Sequence, residues 1–268
     1  MNELLHFGAP ADEKPLDRVV TDGGFSCIFR TVACVGDSLS SGEYEIASPN
    51  GGDHHYFDMF EYSWGQYLAR AAGFTAYNFS RGGMTTSEYC ESYAQERGWW
   101  DPSLRAQAYI IALGINDLIG MHQELGEMSD INPDNPTKNA KTVTGYYARI
   151  IQQYKAIAPD AKFFLVSMPR NQLFEPNAQP EGPGARLSAR LHEFAEYFTN
   201  TYVIDLHTYA PLHDEEFVRR YYLYGHMTPA GYRIMADHIG SYIDYIVRHN
   251  PEDFKEVGFI NSDIPRVW

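Results

Sequence analysis

Cysteine is scarce. Cys27, Cys34 and Cys90 are the three in the chain, an odd number with no Cys-x-x-Cys pair. That usage argues against a disulfide framework or a thiolate zinc site and predicts buried free thiols in a reducing cytoplasm. Basic residues are also few: Lys and Arg number 21 against 35 Asp and Glu, a net charge of −14, and no basic block occurs. Phosphate backbones and anionic membrane surfaces are bound by clustered Lys and Arg, so neither nucleic acid nor membrane is expected as a partner. Long apolar runs are missing as well, none approaching the ~18 residues of a membrane span. The start, Met1-Asn2-Glu3-Leu4-Leu5-His6, lacks the basic stretch and apolar core of a secretory leader, and the expectation is a cytoplasmic protein. No low-complexity tract or internal repeat is found, and nothing in the sequence specifies an oligomeric state.

What is present is strand–helix alternation in 268 residues with 44% apolar content, enough for one sizeable domain. Residues 1–29, with Pro10, Pro15 and Gly23-Gly24, read as an irregular extension packed on a domain spanning 30–268. Strands are predicted at 30–36, 74–79, 108–113, 162–168 and 202–204. Ala108-Tyr109-Ile110-Ile111-Ala112-Leu113 is apolar throughout, as central parallel strands are. Helices are predicted at 58–72, 85–97, 137–157, 186–199 and from Thr228-Pro229 to Asn250, the last opened by an N-cap followed by proline. Residues 41–57, with Pro49, Asn50-Gly51-Gly52 and His54-His55, read as loop, and 118–136 as an insertion. Five such alternations predict a three-layer α/β/α fold around a parallel sheet.

Four short blocks carry chemistry. Gly36-Asp37-Ser38-Leu39-Ser40 closes the first strand, and places a serine at the carboxyl edge of the sheet. Asn78-Phe79-Ser80-Arg81-Gly82-Gly83 follows the second, where paired glycines ahead of a helix present backbone N–H groups. Gly114-Ile115-Asn116-Asp117 follows the third, with a neutral amide donor at Asn116. Gly225-His226-Met227-Thr228 precedes the last helix, whose positive end should lower the pKa of His226 and keep it a neutral base. Each block alone also reads as an ordinary turn or cap. Their joint order supplies a nucleophile, oxyanion donors and a base, the parts that acyl transfer by serine needs.

These blocks resemble the SGNH/GDSL hydrolase family, over residues 36–232. The resemblance implies a flavodoxin-like sheet of order 2-1-3-4-5 and ester hydrolysis, with Ser38 as nucleophile and His226 as base. It also implies an oxyanion hole from the N–H of Ser38, the N–H of Gly83 and the side chain of Asn116. No Gly-x-Ser-x-Gly elbow occurs, which disfavours the α/β-hydrolase class. One position departs from the family: its usual Asp, three residues before the histidine, is Leu223 here. Three explanations remain open. They are a backbone carbonyl near Leu223, a carboxylate from elsewhere such as Asp205, Asp214 or Glu216, or a site that binds without catalysing.

Lesser candidates complete the reading. Arg170, after the fourth strand, points to the same sheet edge and is a candidate for substrate binding. Asp37 is a weaker one, with turn bracing as its other role, shared by Asp117. His54-His55 reads as solvated loop and not as a metal site, and Trp99-Trp100 as core in preference to a sugar platform. The expected reaction is removal of a short acyl group, such as acetyl, from a carbohydrate or small metabolite. That chemistry needs no metal or organic cofactor. A thioesterase, a lysophospholipase and a binding protein on the same scaffold are the rivals.

Overall fold

In a computed structural model, residues 10–49 and 51–264 are described. The first nine residues of the expected extension lie outside them. Five strands form the main sheet: β1 Thr31–Gly36, β4 Thr75–Ser80, β5 Ala108–Ala112, β6 Lys162–Ser167 and β7 Thr201–Asp205. They lie in the order β4-β1-β5-β6-β7, every neighbouring pair parallel. Counting these five alone, that is 2-1-3-4-5, the expected order.

Alternation along the strands builds two cores. Ala33, Val35, Tyr109, Ile111, Phe163 and Leu165 face one side, against helices Val143–Ile157 and Pro183–Tyr197. Val32, Cys34, Ala108, Ile110, Phe164 and Val166 face the other, against helices Trp64–Ala72 and Pro229–His249. Both faces are apolar because side chains of period two must bury on both sides of a covered sheet. The result is the three-layer α/β/α fold.

Several boundaries shift for local reasons. The helix expected from 137 begins at Val143, where the Thr142 side chain accepts the Gly145 N–H and so caps it. The helix expected over 85–97 is interrupted by a π turn at Tyr89–Tyr93, which wraps the buried Tyr89 hydroxyl onto that of Tyr154 at 2.5 Å. Trp99 stacks on Phe79 with 6.0 Å between ring centres, so this indole packs against the core. Cys34 and Cys90 are buried, but Cys27 is exposed, because it lies on the surface turn Gly24–Ile28. The expectation of three buried thiols is corrected there.

The larger difference is at 41–57. In place of a loop, β2 Glu43–Ala47 pairs antiparallel with β3 His54–Asp58. Glu43 and Glu45 turn inward while every residue of β3 is exposed. A second small hairpin joins β8 Tyr222–Leu223 to β9 His226–Met227. Among the described residues, no helix is long and apolar enough to cross a membrane.

Candidate active site

The site is built at the carboxyl ends of β1, β4 and β5, where the strand order reverses and a crevice opens. Gly36 ends β1, and the next residue, Asp37, caps the four-residue helix Ser38–Ser41 by accepting the Leu39 N–H at 3.1 Å. That turn sets Ser38 at the sheet edge. After β4, Gly83 takes a left-handed backbone with φ of 69°, a conformation open to glycine without steric cost. Gly82 matters for space: a Cβ there would sit 1.7 Å from Oε2 of Glu43. After β5, the Asn116 side chain donates one N–H to Met84 O at 3.2 Å, which leaves a second donor on the same amide.

Ser38, Gly83, Asn116 and His226 line one open cleft of about 440 Å³, together with Glu43, Tyr56 and Gly82. Asp37 and Arg170 do not line it. Asp37 is buried below the turn, beside a small apolar cavity of about 30 Å³ that Leu39 and Trp64 also line. Burial pushes its carboxyl up to about 7, against the pull of the Leu39 N–H and His226. Arg170 follows β6, and its carbonyl accepts the His213 N–H at 2.9 Å. Asp117 is buried and accepts the Thr86 N–H at 3.0 Å and hydroxyl at 2.6 Å, tying the Gly83 turn to the Asn116 turn.

The profile of the GDSL-like lipase/acylhydrolase family matches residues 34–234, most of the chain and all four blocks. The chain belongs to that family. This acylhydrolase is an ester-hydrolysing enzyme. Its fold is shared with a family 3 carbohydrate esterase from Clostridium thermocellum, at 17% identity and a TM-score of 0.51, covering 82% of this chain and 97% of that one. A family two carbohydrate esterase from the same organism, in complex with cellohexaose, gives 17% and 0.53, over 81% of this chain and 64% of that one. A protein from Lactobacillus plantarum gives 17% and 0.56, over 81% and 97%. A comparison with curated proteins gives no match.

In this GDSL-type acylhydrolase a carboxylate does reach His226, from a residue the sequence reading missed. Nδ1 of His226 lies 3.0 Å from Oε2 of Glu45. Glu45 also accepts the Gly225 N–H at 2.7 Å and contacts His54 Nδ1 at 2.5 Å. Burial disfavours its charge, but these three partners together hold its carboxyl below the usual range. None of the three carboxylates weighed earlier takes that place. Asp205 bonds Ser167 and Ser188, Asp214 caps the helix Glu215–Tyr221, and Glu216 pairs with Arg220. The backbone-carbonyl explanation yields as well, because Leu223 pairs with His226 across the small hairpin and Nδ1 is taken by Glu45. Glu43-x-Glu45 was the available signal, since alternate residues of a strand share a face.

The second ring nitrogen is also occupied. Nε2 of His226 lies 2.9 Å from Oε1 of Glu43. Burial alone would push the ring below the ordinary histidine value, but Glu43 and Glu45 outweigh it and the net direction is up. The expected lowering by the helix end is therefore corrected: two carboxylates at hydrogen-bond distance act more strongly than a helix terminus. His54 and His55 stand on β3, His54 on Glu45 and His55 on Ser48 at 3.1 Å. Among the described residues, no group of three or more His, Cys, Asp or Glu is placed to hold a metal ion.

Proposed function

We propose that this acylhydrolase removes a short acyl group, acetyl in the simplest case, from a hydroxyl of a carbohydrate or small metabolite. Ser38 is the nucleophile, His226 the base and Glu45 the acidic member that orients the ring. The observation that carries the reading is the meeting of Ser38, Gly83, Asn116 and a carboxylate-backed His226 in one cleft. Ser38 attacks the ester carbon as His226 takes its proton. The tetrahedral oxyanion is met by the N–H groups of Ser38 and Gly83 and the free N–H of Asn116, each at most about 3 kcal/mol. His226 returns the proton to the leaving alcohol, and water repeats the sequence on the acyl-enzyme.

The substrate class rests on the surroundings. An adjoining hollow of about 360 Å³ shares Gly83 and Asn116 with the cleft, and is lined further by Arg81, Thr85, Ser87, Glu88, Gly120, Met121 and Gln123. Its polar side chains can bond the hydroxyls of an alcohol, while Met121 and the side-chain carbons offer an apolar face to a ring. The apolar cavity beside the nucleophile turn holds about 30 Å³, room for about two waters and too little for a long chain. The carbohydrate esterases that share the fold support the same class.

The test is turnover of p-nitrophenyl esters from acetyl to dodecanoyl, of an acetylated sugar and of an acyl thioester, by wild type and Ser38→Ala. The expected result is a rate that falls with acyl length, and a loss of kcat on the order of 10³-fold or more in the variant. Rates that rise with chain length would overturn the short-acyl reading. A variant as fast as wild type would overturn Ser38 as nucleophile.

A further inference from the structure

A serine hydrolase needs an acceptor lone pair on the histidine nitrogen that faces the serine. Here both ring nitrogens meet carboxylate oxygens, Nδ1 at 3.0 Å from Glu45 and Nε2 at 2.9 Å from Glu43. A neutral imidazole carries one N–H and can donate from one nitrogen only. Two carboxylates within 3.0 Å of one ring therefore favour its protonated form. That form is the imidazolium, which cannot accept the Ser38 proton.

We propose that Glu43 is a proton-dependent latch on the base: it holds protonated His226 by Nε2, away from the Ser38 hydroxyl, and releases it when that proton leaves. The inference rests on the reading of His226 as base. Once the proton passes from Nε2 to water in the open cleft, the nitrogen lone pair and the Glu43 carboxylate repel. The Nδ1–H remains on Glu45, which becomes the pivot, and Nε2 is free to take the hydroxyl of Ser38. Glu43 acts through His226 and is a positioning residue.

The fold gives Glu43 no other assigned task. Its carboxylate lines the catalytic cleft, and the missing side chain at Gly82 makes room for it. Its backbone carbonyl is fixed separately, by the Tyr232 hydroxyl at 2.7 Å, so a side-chain substitution leaves that anchor in place. The charged and titratable groups around the ring are Glu43 and Glu45 on β2, His54 and Tyr56 on β3, Asp37 after β1, and Tyr232 on the last helix. His54 bonds Glu45 and not the ring. Tyr56 meets the ring edge-on at 5.8 Å between centres. Asp37 is a buried carboxyl pushed up to about 7. Glu43 alone contacts Nε2 among these.

The experiment pairs two readouts in wild type, Glu43→Gln and Glu43→Asp. One is the ¹³C-edited NMR titration of His226, which needs no activity. The other is the acid limb of kcat/KM for p-nitrophenyl acetate. In Glu43→Gln both midpoints are expected to fall by roughly one pH unit, the effect of one adjacent carboxylate. The ratio of kcat/KM at pH 6 to that at pH 9 then rises up to about tenfold. Glu43→Asp, which keeps the charge, restores both midpoints toward wild type. An NMR midpoint unmoved in Glu43→Gln overturns the latch. A midpoint that moves by NMR while the rate limb stays overturns it too, and places the fault in His226 as base.

Discussion

At the scale of single residues, an acidic partner supplied from another strand decides how His226 is held. The position three residues before the histidine is Leu223, and the carboxylate comes instead from Glu45, across the chain on β2. Glu45→Gln keeps the size and the hydrogen bond but not the charge that favours the imidazolium formed during attack. A loss of kcat on the order of 10²–10⁴-fold is expected, with KM little changed. The geometry also offers a rescue. Leu223 and His226 are cross-strand partners, and such side chains lie about 5 Å apart. Leu223→Asp in the Glu45→Gln background should recover part of the lost kcat. Steady-state kinetics of the single and double variants check this, and recovery by Leu223→Ala as large as by Leu223→Asp would refute the role of charge.

At the scale of elements, the turn from β1 into the helix Ser38–Ser41 carries the proposed nucleophile and has no slack. A Cβ at Gly36 would lie 2.0 Å from the Ser40 hydroxyl and 2.5 Å from Ser40 Cβ, both buried. Gly36→Ala must push the turn outward. Overpacking of this kind costs about 1–3 kcal/mol, while the displaced Ser38 should lose more than tenfold in kcat. Calorimetry and kinetics on the one variant separate the two effects, and full activity with lowered stability would show that the turn shifts without moving Ser38. This turn was legible in the sequence because an apolar run leads straight into Gly36-Asp37-Ser38. So were the five sheet strands and their helices, whose apolar spacing is dictated by two covered faces. The hairpin β2–β3 was not. All of β3 faces solvent, so no apolar alternation marks it, and its inward residues on β2 are glutamates, which pattern reasoning assigns to the surface. The polar site hid the strand that holds it: Glu43 and Glu45 are buried because His226 is there to pair with them.

At the scale of the whole molecule, the segment before β1 is tied to the last helix. Val20 N–H donates to Ser241 Oγ at 2.8 Å, and Phe25 N–H to Asp244 at 3.2 Å. Arg248 joins Glu13 through two bonds of 2.6 and 2.9 Å and Asp244 through one of 2.8 Å, with all three side chains largely buried. The helix bearing these groups begins at Pro229, three residues after His226 on β9, so the tie lies on the element that follows the proposed base. The hydrogen bond from Arg248 holds the Glu13 carboxyl below its usual 4.5, with burial acting against it. The sign follows: the folded value is depressed, so Glu13 adds stability above its unfolded pKa and loses it as pH falls through the folded one. Glu13→Gln removes one of the two carboxylates on a largely buried guanidinium, leaving Asp244, and is expected to cost about 1.5 kcal/mol at pH 7. Urea unfolding of wild type and variant across pH 7 to pH 3 checks this. The gap between the two is expected to stay nearly constant down to about pH 5 and to narrow below it, as Glu13 in the wild type takes up the proton that Gln never carries. A gap of the same size at pH 3 would mean that the side chain acts there by packing and not by charge.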